Sequence, residues 1–339
     1  MSWNLRVGHC CASVCLALMG ASAQAGPYSS LYVFGDSLSD VGNDLVVTGG
    51  AVPSPGYYTD GGNTGRFTNG LNYVDRLAAG LGVSAAPSVL GGTNYAYGGA
   101  RIDTVSAGLP PTALSFNQQI GSYLAGGVAD PGALYVLWIG ANDMSDLIAE
   151  AAMAADPTTI PGLINARVGA VMGSIAGALS GLAGLGAQHF LVPNLPDLSL
   201  VPEVRAVNNP LLSALAGSVS AGFNQALAGT LGLNMFSVLD VRSLDVFAAQ
   251  TQMTLDPAAY GLSNVSDACY SGDLGGGGTP TVCANPDEYL YWDFEHPTAV
   301  LHAQLGQLAL AAVPEPASWS LTLLGLGLMG GLGRRRSRR

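Results

Sequence analysis

The chain has 339 residues and carries 23 acidic against 12 basic ones; all 12 are arginine, and the mean hydropathy is +0.34. Arg6 and the cluster Arg334, Arg335, Arg336, Arg338 and Arg339 account for six of the 12, which leaves six against 23 acidic residues and a net charge of −17 over residues 26–316. So acidic a surface repels phosphate backbones and anionic headgroups, which argues against nucleic acid and against anionic lipid surfaces as partners. The length between the ends fits one large domain with a sizeable core.

At the N-terminus, Arg6 is followed by an apolar run over 10–19 and then by Ala23-Gln24-Ala25, small residues where a signal peptidase cuts. This predicts a signal peptide over 1–25 and an exported protein. Cys10, Cys11 and Cys15 leave with it. Cys269 and Cys283 remain in an oxidising compartment, where such a pair predicts a disulfide. Two thiols with no nearby histidine pair argue against zinc.

Short apolar, β-prone runs follow at 31–34, 94–97, 133–139, 189–192 and 235–239, the second weaker than the others. Between them, Ile164, Val168, Val171, Ile175, Leu179 and Leu182 share one helical face, as do Leu215, Val219, Phe223 and Leu227. Strands apolar on both faces, alternating with amphipathic helices, predict a mostly parallel five-stranded sheet covered on both sides. In such folds chemistry collects at the carboxyl ends of the strands.

The first run leads directly into Phe34-Gly35-Asp36-Ser37-Leu38-Ser39-Asp40. Glycine permits a sharp turn that would set the Ser37 hydroxyl in a cleft, although the same residues also serve as turn and cap. No G-x-S-x-G elbow occurs. The loop over 44–65 holds Tyr57 and Tyr58, which either line an acyl site or pack the loop down. Gly98-Gly99 follows the second run, and Asn142 in Gly140-Ala141-Asn142-Asp143 follows the third. Both segments can donate to an oxyanion, or can be a turn and a helix cap.

The loop over 242–291 carries the cysteine pair and a glycine run at 275–278. After it comes Asp293-Phe294-Glu295-His296-Pro297-Thr298, then a helical pattern through Leu301, Leu305 and Leu308. A carboxylate three residues before a histidine can reach its Nδ1 and leave Nε2 to face a serine. His9 lies in the signal peptide, His189 begins a strand run and His302 lies inside the last helix, so His296 alone has an acid at that spacing. The chain ends in Pro314-Glu315-Pro316, an apolar segment over 317–333 and the arginine cluster, a short span with its tail on the cytoplasmic side.

That last segment resembles the PEP-CTERM sorting signals of exopolysaccharide-producing Gram-negative bacteria. The resemblance implies a sorting enzyme acting on 314–339 and a cell-surface or extracellular product; unprocessed, residues 317–333 would anchor the protein in the inner membrane. The remaining chain, 26–313, resembles the GDSL (SGNH) lipases and acylhydrolases through the serine, Gly98-Gly99, Asn142 and histidine motifs. Arg66-Phe67-Thr68-Asn69-Gly70 and Val192-Pro193-Asn194-Leu195-Pro196 are similar to further segments of that group. The resemblance implies a flavodoxin-like three-layer α/β/α sandwich and no cofactor. It also implies Ser37 as nucleophile, His296 as base, Asp293 as its partner, and the Ser37 amide, Gly99 and Asn142 as oxyanion donors. An esterase or lipase on acyl esters or lipids, a deacetylase of acetylated glycans, and a non-catalytic surface protein all remain open at this point.

Overall fold

Every residue of the run Leu-Tyr-Val-Leu-Trp at 134–138 is buried, as a strand without polar alternation requires when both sheet faces are covered. In the computed structural model, which describes residues 28–313, this is β2 (Leu134–Trp138) of a parallel sheet. It lies between β1 (Leu31–Gly35) and β3 (His189–Pro193), and β4 (Asp240–Leu244) forms the far edge. The expected signal peptide and sorting segment lie outside the described residues.

Successive side chains of a strand point to opposite faces, and β2 splits accordingly between two cores. Leu134, Val136 and Trp138 pack under α2 (Tyr73–Leu81), α8 (Val246–Leu255) and α9 (Ala299–Ala312), which contribute Leu77, Met253 and Leu305. Tyr135 and Leu137 pack under α3 (Phe116–Leu124), α4 (Ala141–Ala152), α5 (Ile160–Gly184) and α7 (Pro210–Leu231). The faces read from the sequence are the ones buried: Val168, Val171, Ile175, Leu179 and Leu182 on α5, and Val219, Phe223 and Leu227 on α7. The result is a three-layer α/β/α sandwich. Two short helices, α1 (Asn43–Val47) and α6 (Pro202–Ala206), lie in the connections.

The sheet has four strands where five were expected. The run at 94–97 does lie along β1, with Tyr95 N–H donating to Val33 O at 2.7 Å. It makes one parallel bridge there and no ladder, because Asn94 turns its side chain back on its own backbone. The Asn94 Oδ1 accepts the Ala96 N–H and its Nδ2 donates to Ser39 O. At the other edge, the run at 235–239 is not a strand: Asn234–Phe236 forms a single 3-10 turn, and β4 begins at Asp240. An edge strand pairs on one side only and tolerates polar residues; here Asp240 meets both His189 and Arg242.

The stretch expected as a long loop over 242–291 contains α8, capped by Asp245, the short strands β5 (Asn264–Ala268), β6 (Tyr270–Ser271) and β7 (Thr281–Val282), and ends on a fourth. β5 pairs with β8 (Tyr289–Tyr291), and Cys269 is joined to Cys283 beside the β6–β7 hairpin.

Candidate active site

At the end of β1, Gly35 comes so close to β2 that a Cβ would collide with the Trp138 carbonyl. The chain then closes one turn, with Asp36 O accepting the N–H groups of Ser39 and Asp40, both at 3.0 Å. Ser37 stands at the start of that turn, 8% exposed. On the opposite side, β8 leads into the loop that carries Asp293 and His296 before α9. Residues 66–70 hold this loop: Thr68 Oγ1 donates to Pro297 O at 2.8 Å, and Asn69 Oδ1 accepts the Ala299 N–H at 2.8 Å. Phe67 lies against the His296 ring, with centroids 5.3 Å apart.

These elements bring Ser37, His296 and Asp293 into one hydrogen-bonded row. Ser37 Oγ is 2.8 Å from His296 Nε2, and His296 Nδ1 is 2.8 Å from Asp293 Oδ2. Asp293 Oδ1 also accepts the N–H groups of Glu295 and His296, at 2.8 and 2.7 Å. Tyr58 OH donates to Asp293 Oδ2 at 2.8 Å. Every lone pair that a buried carboxylate needs filled is thus engaged. Burial pushes the Asp293 pKa up, but the His296 charge and these bonds hold it below the ordinary range. His296 shows the converse: burial pushes it down, yet Asp293 beside it carries it up to about 9.

Asp40, expected only as part of the serine motif, is a junction. Its Oδ1 accepts from Gly42 and Asn43 at 2.7 Å, and its Oδ2 from Asp44 at 3.1 Å and Gly98 at 3.3 Å. Gly98 is therefore committed through its amide, and a Cβ on it would collide with Phe67. The amides of Ser37 and Gly99 donate to no described group. Gly99 has φ +64°, the left-handed region that favours glycine. Its carbonyl accepts Arg101 Nη1 at 2.9 Å, while the same guanidinium forks onto Asp146 of α4. Asn142, in the first turn of α4, donates Nδ2 to Ala100 O at 3.1 Å.

Ser37, Asn142 and His296 line one cleft with about 660 Å³ of space between atoms, part of it open to solvent. Gly99 is not in that lining, and neither are Tyr57 and Tyr58, the candidates for an acyl site. Tyr57 instead packs on Tyr270, and Tyr58 is buried among Tyr270, Trp292 and the Cys269 side chain. Among the other histidines, His302 is buried, with Nδ1 accepting the Tyr73 N–H, and its pKa is pushed down to about 3 by burial. His189 pairs with Asp240. The bond of Tyr58 to Asp293, and Arg101 and Asp146 altogether, escaped the sequence reading because their partners lie far along the chain, and no local pattern marks these pairings.

A serine bonded to a histidine that is bonded to a buried carboxylate, at the carboxyl end of a parallel sheet, is the arrangement of a nucleophilic hydrolase. The model of the GDSL-like Lipase/Acylhydrolase family matches residues 31–309, and the chain belongs to that family; it is a carboxylic ester hydrolase. The PEP-CTERM protein-sorting motif matches residues 312–339, the mark of an exported protein sorted at its C-terminus. The chain is 26% identical to the Inactive GDSL esterase/lipase-like protein 25 of Arabidopsis thaliana, over 84% of this chain and 72% of that one. It is 27% identical to a phosphatidylcholine-sterol acyltransferase of Aeromonas hydrophila, over 87% and 95% respectively. A lipase from a goat rumen metagenome, Lip_vut3, aligns over 84% of this chain and 96% of its own, with 14% identity and a TM-score of 0.44.

Proposed function

We propose that the protein hydrolyses acyl esters by a two-step transfer in which Ser37 is the nucleophile, His296 the base and Asp293 the orienting carboxylate. The observation that carries this reading is the unbroken row from Ser37 Oγ through His296 to Asp293, both links at 2.8 Å. His296 Nε2 takes the Ser37 proton as Oγ attacks the ester carbonyl, and the imidazolium returns it to the departing alcohol oxygen. Water then gives a proton to Nε2, attacks the acyl-enzyme and releases the acid, which restores Ser37. The free amides of Ser37 and Gly99 and the Asn142 side chain are the donors that meet the oxyanion. Asp293 stays ionised throughout and stabilises the imidazolium.

The domain plan belongs to the same proposal: a signal peptide over 1–25, the catalytic domain over 26–313, and a tail over 314–339 that a sorting enzyme processes at the membrane. Hydrolysis of p-nitrophenyl acetate, butyrate and octanoate beside a Ser37→Ala control tests the chemistry. Turnover that vanishes in the control supports it. Turnover that survives in Ser37→Ala assigns the nucleophile elsewhere.

A further inference from the structure

Asp44 is fully buried in α1, and neither oxygen of its carboxyl meets a hydrogen-bond partner among the described residues. The charge acting on it is of its own sign, that of Asp40, whose Oδ2 accepts the Asp44 amide at 3.1 Å. The carboxyl lies against Gly98, where a Cβ would collide with both Asp44 Oδ2 and Phe67. The surrounding elements bring no free cation. Tyr97, next to Gly98, is neutral, its pKa raised by burial and by Asp40 and Asp44. The loop over 66–70 offers Phe67, and its Arg66 is spent on Asp75. The 3-10 turn Ser88–Leu90 has no titratable side chain and bonds to Asn43.

Two adjacent carboxyls in such a place do not both ionise, because a buried anion without donors is costly and a second one beside it costs more. The pair is unequal. Asp40 accepts the amides of Gly42, Asn43, Asp44 and Gly98, all of which favour its charged form, and Asp44 accepts none. From this asymmetry, and resting on the hydrolase reading for its consequence, we infer that Asp44 is a neutral carboxylic acid and a positioning residue. Its proton lets the Asp40 carboxylate stay ionised beside it and hold the Gly98 N–H, which sets the Gly99 amide toward the oxyanion. Burial raises both groups; the amides pull Asp40 back, while the Asp40 charge pushes Asp44 further up. The Gly98 bond is the longest of the four at 3.3 Å, and a second charge at Asp44 loosens it first. The turn it fixes reaches the reacting groups by a second contact, since Phe67 lies on both Gly98 and the His296 ring.

The proton is read by infrared difference spectroscopy of the wild type against Asp44→Asn near neutral pH. The wild type is expected to show the carbonyl stretch of one protonated carboxylic acid that the variant lacks, and no difference in carboxylate bands. The folded protein then keeps a proton that the unfolded chain releases above the ordinary carboxylate range, so wild-type stability falls as pH rises from there, and its deficit against Asp44→Asn in denaturant titrations widens with pH. For the catalytic role, Asp44→Ala is expected to lower kcat for p-nitrophenyl acetate by about tenfold, the equivalent of one hydrogen bond, with KM little changed, and Asp44→Asn to restore it. In alkali, where the wild type gives up the Asp44 proton and the amide cannot, the kcat ratio of Asp44→Asn to wild type is expected to climb; the ratio cancels the titration of His296. Should Asp44→Ala fail to fold, the spectra and this ratio need only the isosteric variant. Carboxylate bands in the difference spectrum, a flat stability gap, a ratio that does not climb, or an Asp44→Asn kcat as low as that of Asp44→Ala would each overturn the assignment. An acid band in a protein that hydrolyses no ester would keep the proton but overturn its catalytic role together with the hydrolase reading; carboxylate bands in an active enzyme would overturn this inference alone.

Discussion

Tyr58 donates its phenolic hydrogen to Asp293 Oδ2 across a separation of 235 residues, on the same oxygen that faces His296 Nδ1. At 1% exposure it has no water to turn to, and burial together with the Asp293 charge pushes its pKa far up, so it remains a neutral donor. Tyr58 thereby fixes the rotation of the carboxylate and draws off part of its charge. Removing the hydroxyl in Tyr58→Phe leaves packing intact and that oxygen short of one bond, a loss of about 1.5–3 kcal/mol for a bond to a charged group. The expected result is a fall in kcat/KM of about tenfold or more. With more charge left on Asp293, the imidazolium is better stabilised, so the ascending limb of the pH profile moves to higher pH. Stopped-rate assays over a pH series check both.

The raised pKa of His296, about 9, dictates how activity depends on pH. Only neutral His296 can accept the Ser37 proton, so kcat/KM is expected to climb as pH rises through that value, well above the ordinary imidazole range. The charge of Glu295 adds to the elevation. In Glu295→Gln the protonated form loses that support, and the limb is expected to move to lower pH, with more activity at neutral pH than in the wild type. A limb that stays in place or moves up would refute the electrostatic account.

Asn142 reaches the cleft from the first turn of α4. If its amide meets the oxyanion, Asn142→Ala should lower kcat by about 10² to 10³ while the circular dichroism spectrum and melting curve stay close to wild type. Arg101→Ala probes the same feature indirectly, through the Gly99 carbonyl that the guanidinium holds. Its expected effect is smaller, falls on kcat more than on KM, and is partly recovered in Arg101→Lys.

The disulfide between Cys269 and Cys283 closes a loop with a sequence separation of 14 and packs with Tyr58, Tyr270 and Trp292. Replacing both cysteines by serine is expected to lower stability by about 3 kcal/mol in a denaturant titration, the chain-entropy contribution of a loop of that size. Because this cluster backs Tyr58, the same variant should also show part of the Tyr58→Phe shift in pH profile.

What could be read from the chain was the chemistry written in contiguous residues. Gly35 before Ser37, and Asp293 three positions before His296, carry their geometry with them; the serine motif falls just after a strand that its apolar run made visible, whereas β8 before Asp293 lies in the stretch expected as a loop. Where structure depends on distant partners, the reading stopped. The run at 94–97 is the weaker of the apolar runs, and because Asn94 spends its side chain on its own backbone and on Ser39, the expected fifth strand is a single bridge. β4 begins only where the apolar run ends, because Phe236 is drawn into the core, while an edge strand can carry Asp240 and Arg242. Tyr58 looked like loop packing and is that too, but nothing near it in sequence points to Asp293.

The central claim is that Ser37 is the nucleophile that His296 activates. The most direct measurement is therefore covalent: treat the protein with an alkyl fluorophosphonate and locate the adduct by peptide mass spectrometry. The account predicts one modified residue, Ser37, with labelling lost in Ser37→Ala and slowed by orders of magnitude in His296→Ala. An unlabelled Ser37 in folded protein, or an adduct on another serine, would contradict it.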